Sequence, residues 1–256
     1  MALIEKLEAI GEAIRGKTGG SELLTLDQMA AEIEGLEIGG GGSDIEDAIV
    51  QRTISGDYTN NRITKIGDYA FRACSSLASV NVANVTSIGV GAFESSNIKT
   101  IIAPLCTTLG NTAIYNCRSL TTLDVPRLVS VGTSCARELK IKRLVFEYLT
   151  TINNYGFQAA SVEYFDAPLK TLGYGGFDSC KSLNTLVLRG SSLCSLGSAL
   201  TGTPFASGTG YIYVPSELLD RYKAATNWAT YSERFRALED YTVDGTVTGA
   251  LDESKI

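Results

Sequence analysis

Gly11-Glu12-Ala13-Ile14-Arg15-Gly16-Lys17-Thr18 fits the phosphate-loop pattern letter for letter. In a working phosphate loop, a glycine-rich turn after a buried strand aims backbone N–H groups at phosphate, and a helix follows. The context here is wrong. Leu3, Leu7, Ile10 and Ile14 recur at helical spacing, so the segment continues a helix. Gly19-Gly20 then stands where the following helix would have to begin. A second constellation is Asp124 with Asp166, which invites a two-carboxylate glycosidase reading. The repeat described below sets them two strand spacings apart, about 10 Å, beyond the roughly 6.5–9.5 Å of an inverting pair. They read instead as solvated carboxylates on an exposed sheet face. The chain has no His, which excludes Ser-His-Asp and Cys-His catalysis, histidine-ligated zinc and histidine pH sensing. Six cysteines, at 74, 106, 117, 135, 180 and 194, are enough for three bridges, but no CxxC supports a metal or disulfide framework. Asn84-Val85-Thr86 is a glycosylation sequon that matters only in a eukaryotic secretory pathway. The expectation is a chain with no catalytic residues, no metal and no cofactor.

Composition narrows the class further. Of the 256 residues, 44% are apolar and 20% charged, with 26 Gly and 5 Pro, a globular profile. The net charge is −6 and there is no long basic run, which argues against nucleic acid or an anionic membrane as partner. No stretch approaches 18 apolar residues, so no membrane span is expected. Glu5, Lys6, Glu8, Glu12 and Arg15 interrupt the first fifteen residues, unlike a signal peptide, so synthesis in a reducing bacterial cytoplasm is expected.

The elements that position any site come from a repeat. Ile66, Ile88, Leu109, Val131, Ile152 and Leu172 recur at steps of 22, 21, 22, 21 and 20 residues. Phe71, Phe93, Ile114, Ala136, Phe157 and Phe177 follow at a fixed offset. Each unit closes with apolar-x-x-apolar-x-apolar, as in Leu77-Val80-Val82, Ile98-Ile101-Ala103 and Leu183-Leu186-Leu188. A period of 20–29 residues with one short strand each predicts a leucine-rich-repeat solenoid. No unit of about 21 residues closes a core alone, so neighbours must stack into a parallel sheet. Gly67, Gly89, Gly110, Gly132 and Gly173, with Asn153 in the fifth unit, suggest a recurrent left-handed turn. Cys74, Cys117 and Cys180 share one repeat position and read as buried, inert thiols.

The run Ile63-Thr64-Lys65-Ile66-Gly67-Asp68-Tyr69-Ala70-Phe71-Arg72-Ala73-Cys74-Ser75-Ser76-Leu77 resembles the BspA-type leucine-rich repeat, and the resemblance covers about residues 63–189. The fourth copy departs most, with Ser134-Cys135-Ala136-Arg137 in place of an Ala-Phe pair. The resemblance implies a right-handed solenoid used for attachment to surfaces, and no enzymatic activity.

The flanks differ in kind. Leu3, Leu7, Ile10 and Ile14 form one helix face, and Leu26, Met29, Ile33 and Leu36 a second, after a capping box at Thr25 and Gln28. These faces either pack as a hairpin or bind a partner or a second copy of the chain. A linker follows at Gly39–Gly42 and Ser43. The segment from Leu3 to Leu36 resembles a module at the start of phage tail and baseplate-associated proteins of Gram-positive bacteria, implying a virion or prophage structural protein. At the other end, Ser216, Leu218, Leu219 and Tyr222 predict a short helix, and Trp228, Tyr231 and Phe235 bulky cover for the last coil.

The sequence therefore predicts an α+β repeat protein. A leucine-rich-repeat solenoid of six to seven repeats carries an N-terminal helical segment and a C-terminal helical cap. The expected divisions are a two-helix segment over 1–38, a linker over 39–47, the solenoid with its cap over 48–241 and a tail over 242–256. Positions three and five of each closing pattern point outward, concentrating Asp124, Arg143, Tyr164 and Asp166 as the candidate binding face. Expected partners are a host cell-surface glycan or protein, other tail or baseplate proteins, and further copies of the chain. The expected location is a phage tail, with a bacterial surface adhesin as the alternative and a carbohydrate-active enzyme on the solenoid scaffold as the third, least favoured reading. Deleting residues 1–42 should leave the repeat region folding cooperatively with little change in melting temperature, since few contacts cross a glycine linker. A large drop in a calorimetric melt would instead make the helices part of the core.

Overall fold

The computed structural model describes residues 54–240 and the backbone of 242–243 and 246–247. The helices expected over 1–38, the 39–47 linker and most of the tail lie outside the described residues. The described chain winds as a parallel β-solenoid. One set of strands builds its broad face: β1 (Gly56–Thr59), β3 (Leu77–Asn81), β5 (Thr100–Ile102), β7 (Thr122–Asp124), β9 (Arg143–Val145), β11 (Tyr164–Ala167), β13 (Thr185–Leu188), β15 (Tyr211–Val214) and β16 (Phe235–Ala237). A second set has two residues each: β2 (Lys65–Ile66), β4 (Ser87–Ile88), β6 (Thr108–Leu109), β8 (Ser130–Val131), β10 (Thr151–Ile152), β12 (Thr171–Leu172) and β14 (Ser195–Leu196). This second set forms one uninterrupted seven-stranded sheet.

The return segment makes a third ladder without regular strands. Tyr69, Phe71 and Ala73 donate their N–H groups to the carbonyls of Val90, Ala92 and Glu94 in the next coil, each at 2.7 Å. The intervening Ala70, Arg72 and Cys74 close local turns onto Gly67, Tyr69 and Phe71. This alternation holds the first and last donors in left-handed backbone: Tyr69 at φ 59 and Ala73 at φ 56, then Thr112 and Asn116, Ser134 and Glu138, Tyr155 and Ala159. Such residues cost about 1–2 kcal/mol each without glycine. The inter-coil bonds they permit offset that cost, since an orphaned buried N–H is more expensive.

The left-handed turn therefore does not sit at the glycines where the sequence suggested it. Gly89, Gly110, Gly132 and Gly173 lie outside the positive-φ region. They are glycine because the coils nearly touch there. A Cβ on Gly132 would lie 2.5 Å from Asn111 N and Gly110 C, and one on Gly110 would lie 2.7 Å from Gly89 C.

Inside, the repeat columns are buried. Phe71 and Phe93 stack at 5.2 Å and 7°, and Phe157 and Phe177 at 5.7 Å and 26°. Ile114 and Ala136 separate the two stacks; the Phe165 ring packs against Phe157 and Phe177, and Phe146 against Phe165. Another core column, Ile63, Val85, Cys106, Leu128, Leu149 and Leu169, precedes the first six two-residue strands. All six cysteines are free and buried. Cys117 and Cys180 also donate S–H to the carbonyls of Phe93 and Phe157 in the preceding coils, at 2.9 and 3.0 Å.

The C-terminal segment is mixed rather than a helical cap. It holds one six-residue helix, α1 (Leu219–Ala224), short 3₁₀ turns and the additional parallel strand β16. Its buried side chains take up the hydrogen bonds a further coil would have made. Tyr222 Oη accepts from Cys194 N at 2.9 Å, Tyr231 Oη accepts from Leu200 N at 2.6 Å, and Trp228 Nε1 donates to Cys194 O at 2.7 Å. Beyond it, Thr242–Val243 and Thr246–Val247 pair antiparallel. Among the described residues helix is scarce, and their architecture is a parallel β-solenoid.

Gly132→Ala should destabilise the fold by at least about 1–3 kcal/mol, because the added carbon meets backbone on the neighbouring coil and forces overpacking. A urea melt of that variant showing no loss would overturn the close-approach account.

Candidate binding face

The broad face is two sheets, not one. β1, β3, β5 and β7 form the first, and β9, β11, β13, β15 and β16 the second, with no pairing between β7 and β9. At other steps Val82, Ala103 and Phe146 donate to Ile102, Asp124 and Asp166 in the next coil at 2.9 Å, but among the described residues Val125 makes no such bond. The seam falls at the irregular fourth copy, where Ala136 stands in the column of Phe71, Phe93, Phe157 and Phe177. Leu139 occupies the place held by Cys74, Ser96, Cys117, Ala160 and Cys180 in the other coils, and it is fully buried. Ile141 two residues later is only half-buried, unlike Leu77, Ile98, Leu120, Val162 and Leu183 in its column. Leu123 in β7, the strand that ends the first sheet, is likewise half-buried. The seam is confined to this face, because β6 and β8 pair normally on the opposite side.

The two panels differ chemically. Strands of the first contain no Lys or Arg, and present Asp57, Ser79, Asn81, Thr100, Thr122 and Asp124. Ser79 Oγ donates to Asp57 Oδ1 at 2.6 Å. The second panel joins cations to rings. The Arg143 guanidinium lies 4.4 Å from the Tyr164 ring centroid. Tyr164 Oη donates to Asp166 Oδ2 at 3.2 Å, and Arg189 Nε donates to Asp166 Oδ1 at 2.6 Å. Farther along, Arg236 and Arg234 lie 4.4 and 5.9 Å from the ring of Tyr211, which remains exposed.

The four sequence-predicted residues are thus divided. Asp124 is exposed and ends the first panel, while Arg143, Tyr164 and Asp166 begin the second. Asp166 is not the solvated carboxylate expected, because Tyr164 and Arg189 enclose it and leave it 0% exposed. Tyr164 is buried too, by Arg143 above it. Burial pushes the Asp166 carboxyl above its ordinary value, against the opposing pulls of Arg189, Tyr164 and Arg143. Sequence reasoning missed Arg189 because it lies one residue past its strand, and missed Tyr211, Arg234 and Arg236 because that last coil breaks the repeat spacing. Leu3, Leu7, Ile10 and Ile14, the candidate partner or oligomer contact, lie outside the described residues. Burial also raises the thiols, to about 11 for Cys106 and Cys117 and about 12 for Cys135, Cys180 and Cys194, so they stay protonated at neutral pH.

Six copies of the BspA type leucine rich repeat region match residues 53–163 and 150–200. This chain belongs to the BspA-type leucine-rich repeat family. Among solved structures, the BspA-type chain is similar to a leucine-rich repeat protein from Bacteroides ovatus, at 24% identity over 60% of this chain and 47% of that one, with a TM-score of 0.47. It is similar also to a leucine rich cell surface protein from Faecalibacterium prausnitzii, at 16% identity over 75% of this chain and 61% of that one, with a TM-score of 0.38. It spans less than two thirds of the length of either. No curated protein matches the sequence.

In this BspA-type solenoid, Arg189→Gln should leave Asp166 enclosed without its cation. The expected loss is about 3 kcal/mol, the lower end for a broken buried pair because Arg189 is partly exposed. Removing the cation raises the carboxyl further, so the folded variant holds its proton to higher pH than the unfolded chain does. The destabilisation should therefore shrink as pH falls through the folded value, where Asp166 is neutral. Denaturant melts across acidic pH check this, and a pH-independent loss would contradict it.

Proposed function

We propose that this BspA-type solenoid is an attachment protein carried on a phage or prophage tail. Its sheet face meets the host cell surface, and residues 1–38 join it to other tail or baseplate proteins or to further copies of itself. The observation supporting attachment is the second panel, where the Arg143 guanidinium resting on buried Tyr164, and the exposed Tyr211 ring with Arg236, stand on a hydrogen-bonded ladder. Tyr and Arg are the residues that most often dominate binding energy at interfaces. The tail assignment is supported by the resemblance of Leu3 to Leu36 to tail-associated modules. The family itself favours a second carrier, a bacterial surface adhesin using the same face. No reaction is assigned to the chain; its role is recognition of a cell-surface glycan or protein.

Purified full-length chain should sediment with Gram-positive host cells, and Arg143→Ala combined with Tyr211→Ala should weaken that binding roughly tenfold or more at an unchanged melting temperature. Full retention would move attachment off the sheet face. Antibody labelling of the tail tip in electron micrographs supports the phage carrier, and labelling of the bacterial envelope alone supports the adhesin.

A further inference from the structure

We propose that the second panel is a site for an anionic glycan, a polysaccharide carrying carboxylate or phosphodiester groups along its chain. This rests on the reading of the sheet face as the attachment surface and specifies its ligand.

The charge distribution is the first argument. The whole chain carries −6, yet Arg143, Arg189, Arg234 and Arg236 gather on or beside one half of one face. Within the strands of that panel the only carboxylate is Asp166, enclosed and paired with Arg189, and beside them Glu163 is paired with Lys142. The first panel, on the same face, has Asp57 and Asp124 in its strands and one flanking cation, Lys99. A polyanion is therefore directed to the second panel and turned away at the seam.

Geometry is the second argument. Register places Arg143, Tyr164, Thr185 and Tyr211 in one row across successive strands. That row spans about 14 Å by strand spacing. Arg236 lies one strand further on, in register with Tyr213. The cations at the two ends are held in place: Arg236 donates to the carbonyls of Glu233 and Phe235, Arg234 donates to that of Gly208, and Arg143 rests on Tyr164. Between them lie the Thr185 hydroxyl and the exposed ring of Tyr211. Fixed guanidiniums at both ends suit charges spaced along a chain, and a ring with a hydroxyl between them suits a sugar face and its hydroxyl groups.

The test uses the full chain with three polymers: polygalacturonate, poly(glycerol phosphate) and uncharged dextran. The expected result is binding to one or both anionic polymers, weakened by added salt, with dextran not retained. Arg143→Gln combined with Arg236→Gln should lower that affinity roughly tenfold or more. Should that variant melt early, Thr185→Glu places a carboxylate mid-panel and should do the same, while Thr100→Glu on the first panel should change nothing. The stronger of the two polymers assigns carboxylate or phosphate. Equal retention of dextran, equal binding to duplex DNA, or indifference to these substitutions overturns the proposal. Binding to host cells with no binding to either polymer refutes the anionic glycan and leaves attachment standing. Binding to a polymer without binding to cells refutes the attachment reading and leaves the site.

Discussion

Backbone hydrogen bonding from coil to coil, at one fixed spacing, governs this molecule. The two-residue strands, the face strands and the turn segment all bond across the same step. Every other feature must fit within a rise of about 4.8 Å. Side chains can add little thickness where backbones nearly touch, hence Gly89, Gly110 and Gly132 in column. Residues in the turn ladder must alternate their donors between neighbour and self, hence Tyr69, Thr112, Ser134 and Tyr155 in left-handed backbone despite their side chains. The strain is tolerated because each such residue places an N–H that would otherwise be buried without a partner.

The same constraint explains where the molecule departs from its repeat. The fourth coil exchanges the column phenylalanine for Ala136 and the small residue three positions on for Leu139, Ile141 is left half-buried, and there the face sheet divides while the opposite sheet continues. A division on one face yields two panels that carry different side chains without breaking the solenoid. Acidic and hydroxyl groups lie on one side of the seam, and paired cations and rings on the other. At the last coil, where no neighbour exists to accept or donate, Tyr222, Trp228 and Tyr231 stand in for backbone. Large aromatic side chains suit that task because each covers apolar area and carries a polar group at its tip.

Asp166 shows how a surface position becomes an interior one. By alternation its side chain leaves the core, and so it does. Outside the core it meets Tyr164 from its own strand and Arg189 from the next coil, which close over it. Its burial costs solvation, which the ion pair and the phenol hydrogen bond offset only in part, so the carboxyl stays above its ordinary value. The arrangement fixes Tyr164 and Arg189, leaving the panel's outer layer to Arg143, Thr185 and Tyr211.

Period, strand positions and the inward columns from Ile66 to Leu172 and Phe71 to Phe177 were legible in the sequence, because each recurs in every copy and burial alone dictates its chemistry. The family was legible for the same reason. Where the cost of a conformation is shared between coils, one copy read alone misleads: the glycines suggested a turn, whereas contact between coils sets their identity and the turn falls two residues later. The column Val85, Cys106, Leu128 and Leu149 was present in the letters but changes residue type too freely to stand out. Only the tertiary structure decided the seam, the burial of Asp166, and the gathering of Arg189, Tyr211, Arg234 and Arg236 on the panel that Arg143 begins. Those residues come from different coils at irregular spacing, and only the winding of the chain brings them onto one face.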